Sequence, residues 1–422
     1  MSQHTPLSPY RVVELSSERT TFCGQILRDL GAEVITVEPL DGSDARRFGP
    51  YADDTPGLES SLAWWAHNRD KRSLALDVGT DAGEDILSRL LNDADFLVEG
   101  VDPERQAGLG LDDATLASRF PRLIAASITP FGREGPKAAY RGGELIALAA
   151  STLLSTWGDN DRPPVMMAVP QAYAHAGAEA AVGCMVALNE RAASGLGQRV
   201  EATAQTALTF ATQCTSLSGL WGAGNFFRWG GGLKFGPLGV RFIWPCKDGY
   251  VSAGLFFGSA IGPPTNRFTR LMYDKGFCDE SIRDKDFVTL VGPLMSGEEP
   301  MSEFDRCQDA VERFCAAHTR AEMEAYAVEH DLLIDAVRTT ADLLAEPQLQ
   351  SRDYFRQIDQ PGAAAPVTVT GPFARFSETP LEIGGHAPSI GEHTREVLRG
   401  DLGMGEAEIE DLRARGVIGV AE

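Results

Sequence analysis

The chain has 422 residues, 43 % of them hydrophobic, with 20 Phe and 6 Trp. That is enough apolar material for two packed cores and too much for a disordered chain. Sixty acidic residues against 38 Lys and Arg leave a formal charge of −22, a field that repels phosphate backbones and anionic lipid, so neither nucleic acid nor a membrane is an expected partner. The seven Cys fall singly, without a CxxC pair, which predicts reduced thiols and a cytoplasmic protein. No basic start followed by an apolar run opens the sequence, and no stretch of about 18 apolar residues occurs, so neither signal peptide nor membrane span is expected.

In chain order, "YRVVELSS" (10–17) reads as a strand. A helix follows with Phe22, Ile26, Leu27 and Leu30 at helical spacing, Gly31 as its stop, and then the strand "EVITVE" (33–38). Strand, helix, strand within about 30 residues is a βαβ unit, which implies a parallel sheet with right-handed crossovers. The pattern recurs: "RSLALDV" (72–78) strand, "DAGEDILSRLLNDA" (81–94) helix, "DFLVEG" (95–100) strand, "DDATLASRF" (112–120) helix, "RLIAASITPFG" (122–132) strand. This is a doubly wound, Rossmann-like α/β layer, whose ligands gather at the carboxyl ends of the strands. Residues 143–195 turn to Ala-rich helix. "RWGGGLKFGP" (228–237) breaks it, and a smaller α+β domain is expected next, with "YVSAGLFFGSA" (250–260) and one helical run over 307–331. Residues 339–355 and the tail 391–418 return to helix. The expected division is a large domain over 1–225, a small one over 226–335, and 336–422 returning to the large domain.

Three basic clusters follow strands of this acidic chain: Arg46 and Arg47; Arg69, Lys71 and Arg72; Arg133, Lys137 and Arg141. Arg as a bidentate fork and Lys as a point charge suit phosphate or pyrophosphate, although each cluster also reads as a solvated turn. Gly132 and Gly135 allow close backbone approach to a ligand, yet neither a GxGxxG nor a Walker pattern is present, so neither NAD nor ATP is implied. Gly230, Gly231 and Gly232 suit a mobile flap over a pocket, or an ordinary linker. Cys23, near a helix start, is either a reactive thiol or a buried inert one. The seven His show no ligand spacing, HExxH and CxxC are absent, and no metal is expected. No GxSxG elbow occurs.

Taken in order, "ELSS…CGQILRDLGAEVITVEP", "NRDKRSLALD", "LVEGVDPERQAGLGLDDATLASRFPRLIAASITPFGREGP", "GLGQRVEATAQTAL", "DGYVSA", "EPQLQSRDYF" and "APSIGEHTREVL…IEDLRARGVI" resemble the family III CoA-transferases of the formyl-CoA transferase and carnitine CoA-transferase type, over nearly the whole length. The resemblance implies a Rossmann-like large domain, a smaller domain, and two chains interlocked as rings. It implies CoA, as a thioester substrate, lying across the large domain near Arg46, Arg47, Asn68, Arg69, Lys71, Arg72 and Arg105, with Lys137 nearby. It also implies an Asp nucleophile in "PPVMMAVPQAYAHAG" (163–177), whose carboxylate attacks the thioester and forms an acyl anhydride.

The family pattern Gly-Val-Pro-x-x-Asp-x-x-x-Gly reads here from Ala168 to Gly177, and Tyr173 occupies the Asp position. A phenol, with a pKa of about 10 against about 4 for a carboxylate, is protonated at pH 7, so Tyr173 is expected to pack or hydrogen-bond rather than attack. Asp159 and Asp161 lie a dozen residues upstream, too far to substitute. The His used by the family's racemases corresponds to Gly143, whereas Glu144 matches an acidic position lining the family's active site. The usual Ala-Gly-Pro after the first strand is Arg19-Thr20-Thr21.

"ESSLAWWAHNRDKRSLALD" (59–77) further resembles the nucleophile-lacking subunit of benzylsuccinate-type CoA-transferases. The expectation is therefore one subunit of a heteromer, with a paralogous partner bringing the Asp. A self-sufficient CoA-ester lyase or isomerase using His175, Glu144 or Tyr173, and a non-catalytic CoA-ester-binding homodimer, are the alternatives.

Overall fold

The computed structural model describes residues 5–213, 228–381 and 383–421. Its centre is a seven-stranded sheet. Six strands are parallel: β1 (Arg11–Leu15), β2 (Glu33–Glu38), β3 (Arg72–Leu76), β4 (Phe96–Glu99), β5 (Ile124–Thr129) and β6 (Arg199–Thr203). Their order is β3-β2-β1-β4-β5-β6, so β1 lies between β2 and β4 and the winding reverses beside it. Register is fixed by apolar pairs such as Val13 opposite Ile35 on one side and Leu97 on the other. Strands buried on both faces carry nearly continuous apolar runs, as parallel strands covered by helices must.

One face of the sheet packs on Ile86, Leu87, Leu90 and Leu91 of the helix Asp81–Asn92 and on Val397, Leu398, Ile409 and Leu412 near the C-terminus. The tail ends in a short strand, Ile418–Gly419, not in helix. It adds antiparallel to the β3 edge, with Ile418 opposite Leu76, and closes a row of backbone groups that would otherwise be open. The opposite face carries α1 (Thr21–Asp29) and α2 (Ala172–Ser194). The buried side of α1 is Thr21, Cys23, Gly24, Gln25 and Leu27, while Phe22 and Ile26 stay half-exposed. Small residues let the two helices approach closely: a Cβ on Gly177 would lie 3.1 Å from the Cys23 amide nitrogen.

Among the described residues the chain forms two compact units. The first comprises Met1–Ser151, Met167–Thr212 and Pro347–Glu422, the second Thr152–Met166 and Gln213–Glu346. The expected boundary at 225/226 lies outside the described residues. The second unit holds a three-stranded antiparallel sheet built from Ile243–Cys246, Gly249–Ala253 and Ile334–Ala336, packed on Phe268, Phe304 and Phe314 of its helices. The helical run over 307–331 is broken, because Thr319 and Glu322 form a capping box that starts a new helix at Arg320. Gly232 begins a strand, Gly232–Phe235, that pairs with Leu238–Arg241 as a hairpin; the Gly230 amide, just before it, donates to Asp159 within the same unit.

Candidate active site

Beneath the carboxyl ends of the strands lie three buried carboxylates, each held by one cation. Glu14 on β1 accepts from the Lys71 ammonium at 2.8 Å and from the Thr36 hydroxyl at 3.1 Å, and both charged side chains are wholly shielded from solvent. The ammonium also donates to the Thr21 carbonyl and to Asn68 Oδ1, each at 2.9 Å. Glu38 on β2 takes Arg46 bidentately, at 2.6 and 2.9 Å, and that guanidinium stacks 3.7 Å over the Trp64 ring. Glu99 on β4 pairs with Arg199 at 3.0 Å. Charge taken out of water is tolerated only when paired and hydrogen-bonded, so these contacts anchor the sheet.

The structure thereby separates the basic residues singled out in the sequence. Arg46, Asn68, Arg69 and Lys71 are buried. Arg69 donates to the Ala66 carbonyl and lies 3.6 Å from Asp29. Arg72 opens β3 and pairs with Glu33, which opens β2, and with Asp401, so it belongs to the amino edge of the sheet. Arg47 is half-exposed and pairs with Asp41 at 2.9 Å. Arg133 is engaged by Gln106 and Asp113.

At the carboxyl ends of β1, β2 and β3 a cleft of about 510 Å³ opens, walled by the segments leaving these strands and by Val101, Arg105 and Leu109. Arg105 is exposed in it and, among the described residues, carries no ion pair. Lys137 is likewise exposed, its ammonium 5.4 Å from the centre of the Phe131 ring. A cleft with a free guanidinium at the carboxyl end of a doubly wound sheet is where such folds hold nucleotides. Among the described residues no three His, Cys, Asp or Glu side chains gather as a metal-binding group.

Tyr173 stands in the first turn of α2, only 6 % exposed, and its hydroxyl donates to the Gly142 carbonyl at 3.3 Å. Burial is the main force on this phenol; it outweighs the nearby Arg19 charge and pushes the pKa up to about 12, so the hydroxyl keeps its proton at pH 7. Glu144 turns its carboxylate on the start of the same helix, accepting from the Gln171 amide at 2.6 Å and the Ala172 amide at 2.9 Å. Both oxygens thus cap a helix that has no side-chain cap of its own. His175, one turn further, is half-buried.

Arg19, on the loop after β1, donates from Nη1 to the Gly100 carbonyl at 2.8 Å and to Asp102 Oδ1 at 2.7 Å, both on the loop after β4. Beside it, burial and the Asp44 charge raise the Glu18 carboxyl above its usual range. Sequence reasoning noted the Arg19-Thr20-Thr21 departure but gave neither Arg19 nor Glu18 a role; the charge of Arg19 at the Ala position of the family pattern was the available signal. Cys23 is fully buried, and its contact with Cys184 together with burial holds the thiol well above its ordinary pKa, the inert reading of that residue.

The doubly wound sheet and its carboxyl-end cleft define an α/β protein of the nucleotide-binding type. The chain belongs to CoA-transferase family III, whose model matches residues 7–394. It is 33 % identical over 97 % of its length, and 98 % of the relative's, to a Thauera aromatica protein named succinyl-CoA:(R)-benzylsuccinate CoA-transferase subunit BbsE. It is 27 % identical, over 98 % of each chain, to a succinyl-CoA–D-citramalate CoA-transferase of Chloroflexus aurantiacus. A CaiB/BaiF family protein from Brucella suis has the same fold, with a TM-score of 0.76, 25 % identity, and coverage of 95 % of this chain and 100 % of that one. The family acts on CoA thioesters, and this chain is a CoA-transferase.

Proposed function

We propose that this chain is one subunit of a heteromeric CoA-transferase that moves CoA between succinyl-CoA and a carboxylic acid. Its partner is a related chain carrying Asp at the position held here by Tyr173. The single observation that carries this reading is the buried phenol, held to its proton where a carboxylate must attack. Two relatives' names support it: one is called a subunit, and another, 26 % identical, is called the beta subunit of a succinyl-CoA–L-malate CoA-transferase.

In this reading the partner's carboxylate attacks the thioester carbonyl, the carbon–sulfur bond breaks, and CoA leaves as thiolate. The incoming carboxylate attacks the Asp-side carbonyl of the anhydride and expels succinate, leaving a mixed anhydride with the new acid; the thiolate then attacks the new acyl carbon, and the partner's Asp carboxylate leaves. This chain supplies the fold, the interface and, through Arg105 at the cleft and the exposed Lys137, contacts to CoA. In the self-sufficient lyase reading, both oxygens of Glu144 are spent on the α2 amides and the Tyr173 hydroxyl keeps its proton, which leaves His175 as the acid–base group. An interlocked pairing would account for the exposed apolar residues of α2, Val182 and Val186.

The test is reconstitution: each subunit is purified alone, then mixed, and CoA transfer from succinyl-CoA is followed by liquid chromatography. Turnover only in the mixture supports the assignment; full turnover by this chain alone defeats it.

A further inference from the structure

The winding of the sheet reverses between β1 and β4, and a crevice at such a reversal is where a doubly wound fold receives its ligand. In this chain the crevice is bridged. The Arg19 side chain leaves the β1 loop, lies flat against Gly100, and is pinned to the β4 loop by Gly100 and Asp102. A Cβ on Gly100 would stand 3.1 Å from Arg19 Cβ and 3.2 Å from Arg19 Cδ, so the stem rests on bare backbone. The guanidinium also interacts with Tyr173, which is itself buried, and the Arg19 side chain is only 16 % exposed.

We propose that Arg19 is a crossbar that closes the reacting end of the crevice, so that a thioester carbonyl cannot reach position 173 whatever residue stands there. Arg19 is a positioning residue in this sense; it closes a space and touches no reacting atom. The inference rests on the subunit assignment above but is tested separately from it, on this chain alone.

Two consequences follow. With Tyr173→Asp, the new carboxylate is shorter than the phenol and stands behind the Arg19 side chain, within the field of its guanidinium. The variant therefore gains an acid without gaining a nucleophile. Removing Arg19 as well opens the space and frees that acid. The introduced carboxylate then attacks the thioester carbonyl, the carbon–sulfur bond breaks, CoA departs as thiolate, and an acyl anhydride remains that hydroxylamine converts to a hydroxamate.

The experiment incubates succinyl-CoA with Tyr173→Asp and with Arg19→Ala/Tyr173→Asp, and counts hydroxylamine-labile adduct by mass spectrometry. The double variant is expected to carry at least about tenfold more adduct than the single one. Equal labelling of the two overturns the crossbar.

A second measurement needs no acyl chemistry. Tetranitromethane nitrates solvated phenolate, so Tyr173 in the native chain is protected. In Arg19→Ala, loss of the positive charge alone raises the phenol's pKa and slows nitration. A rise of about tenfold can therefore come only from opened access. Asp102→Asn, which loosens one anchor and keeps the shape, is expected to fall between. Nitration of Tyr173 that stays flat or falls in both variants overturns the proposal even if neither can be acylated. Failure of the subunit assignment would show instead in the reconstitution, with this chain active alone.

Discussion

Lys71→Met separates an anchoring lysine from a phosphate-binding one. In the native chain the Lys71 ammonium donates to Glu14, the Thr21 carbonyl and Asn68, fully shielded from water. Methionine has similar length and no charge, so the change leaves Glu14 as a buried carboxylate with one hydroxyl donor, Thr36. Stripping one partner from such a pair costs about 3–5 kcal/mol. In a unit of this size each kcal/mol shifts the midpoint by about 2–4 °C, so Tm is expected to fall by about 10 °C. Glu14→Gln/Lys71→Met removes both charges and should recover much of the loss, with a coupling energy of at least about 2 kcal/mol. Thermal and urea unfolding measure stability, and calorimetric titration at a temperature where both forms are folded measures CoA affinity. A Lys71→Met protein as stable as the native one that binds CoA tenfold more weakly would refute the reasoning and return Lys71 to the ligand.

Three further outcomes are expected. Arg105→Ala should weaken CoA binding by about tenfold, most at low salt, with Tm unchanged, because this guanidinium is exposed in the cleft and bound to no acid among the described residues; unaltered affinity would contradict the placement of CoA. Glu144→Ala removes both acceptors from the start of α2 and should cost about 1–2 kcal/mol in urea unfolding, whereas a side chain free for acid–base work would cost nothing measurable. His67 is pulled down to about 4 by burial and by Lys71 and Arg69. Its neutral form stabilises the fold fully above the unfolded value of about 6.5, and that contribution is lost as pH falls from there toward 4, by up to about 3 kcal/mol. His67→Phe should flatten the stability profile over that window; a profile as steep as the native one would contradict it.

Five of the six parallel strands were legible because they carry dense apolar runs that periodicity reads, whereas β6, Arg-Val-Glu-Ala-Thr, is polar and only partly buried and was not read as a strand. The buried face of α1 was less so: Phe22 and Ile26 have the right spacing, but the close crossing of α2 selects Cys23 and Gly24 instead. At Gly24 a Cβ would stand 1.6 Å from Glu14 Oε2, a constraint no helical period contains. The strand at Ile418–Gly419 is two residues long, made by an edge waiting for it, and carries no pattern of its own.

The basic clusters divided for a reason that spacing cannot show. Lys71 meets an acid 57 positions earlier in the chain, and Arg199 meets one 100 positions away, each inside a strand read as plain core. Glu14, Glu38 and Glu99 were given no role in the sequence and are the partners that claim Lys71, Arg46 and Arg199. Tyr173 was readable against the family pattern, but its interaction with Arg19 joins the start of α2 to the loop after β1, which only the folded chain brings together.

The central claim is tested most directly by locating the acyl group during turnover. The two subunits are mixed with succinyl-CoA and quenched with hydroxylamine, and the hydroxamate is mapped by peptide mass. It is expected on the partner's Asp and nowhere on this chain; a labelled residue here, formed without the partner, would contradict the account.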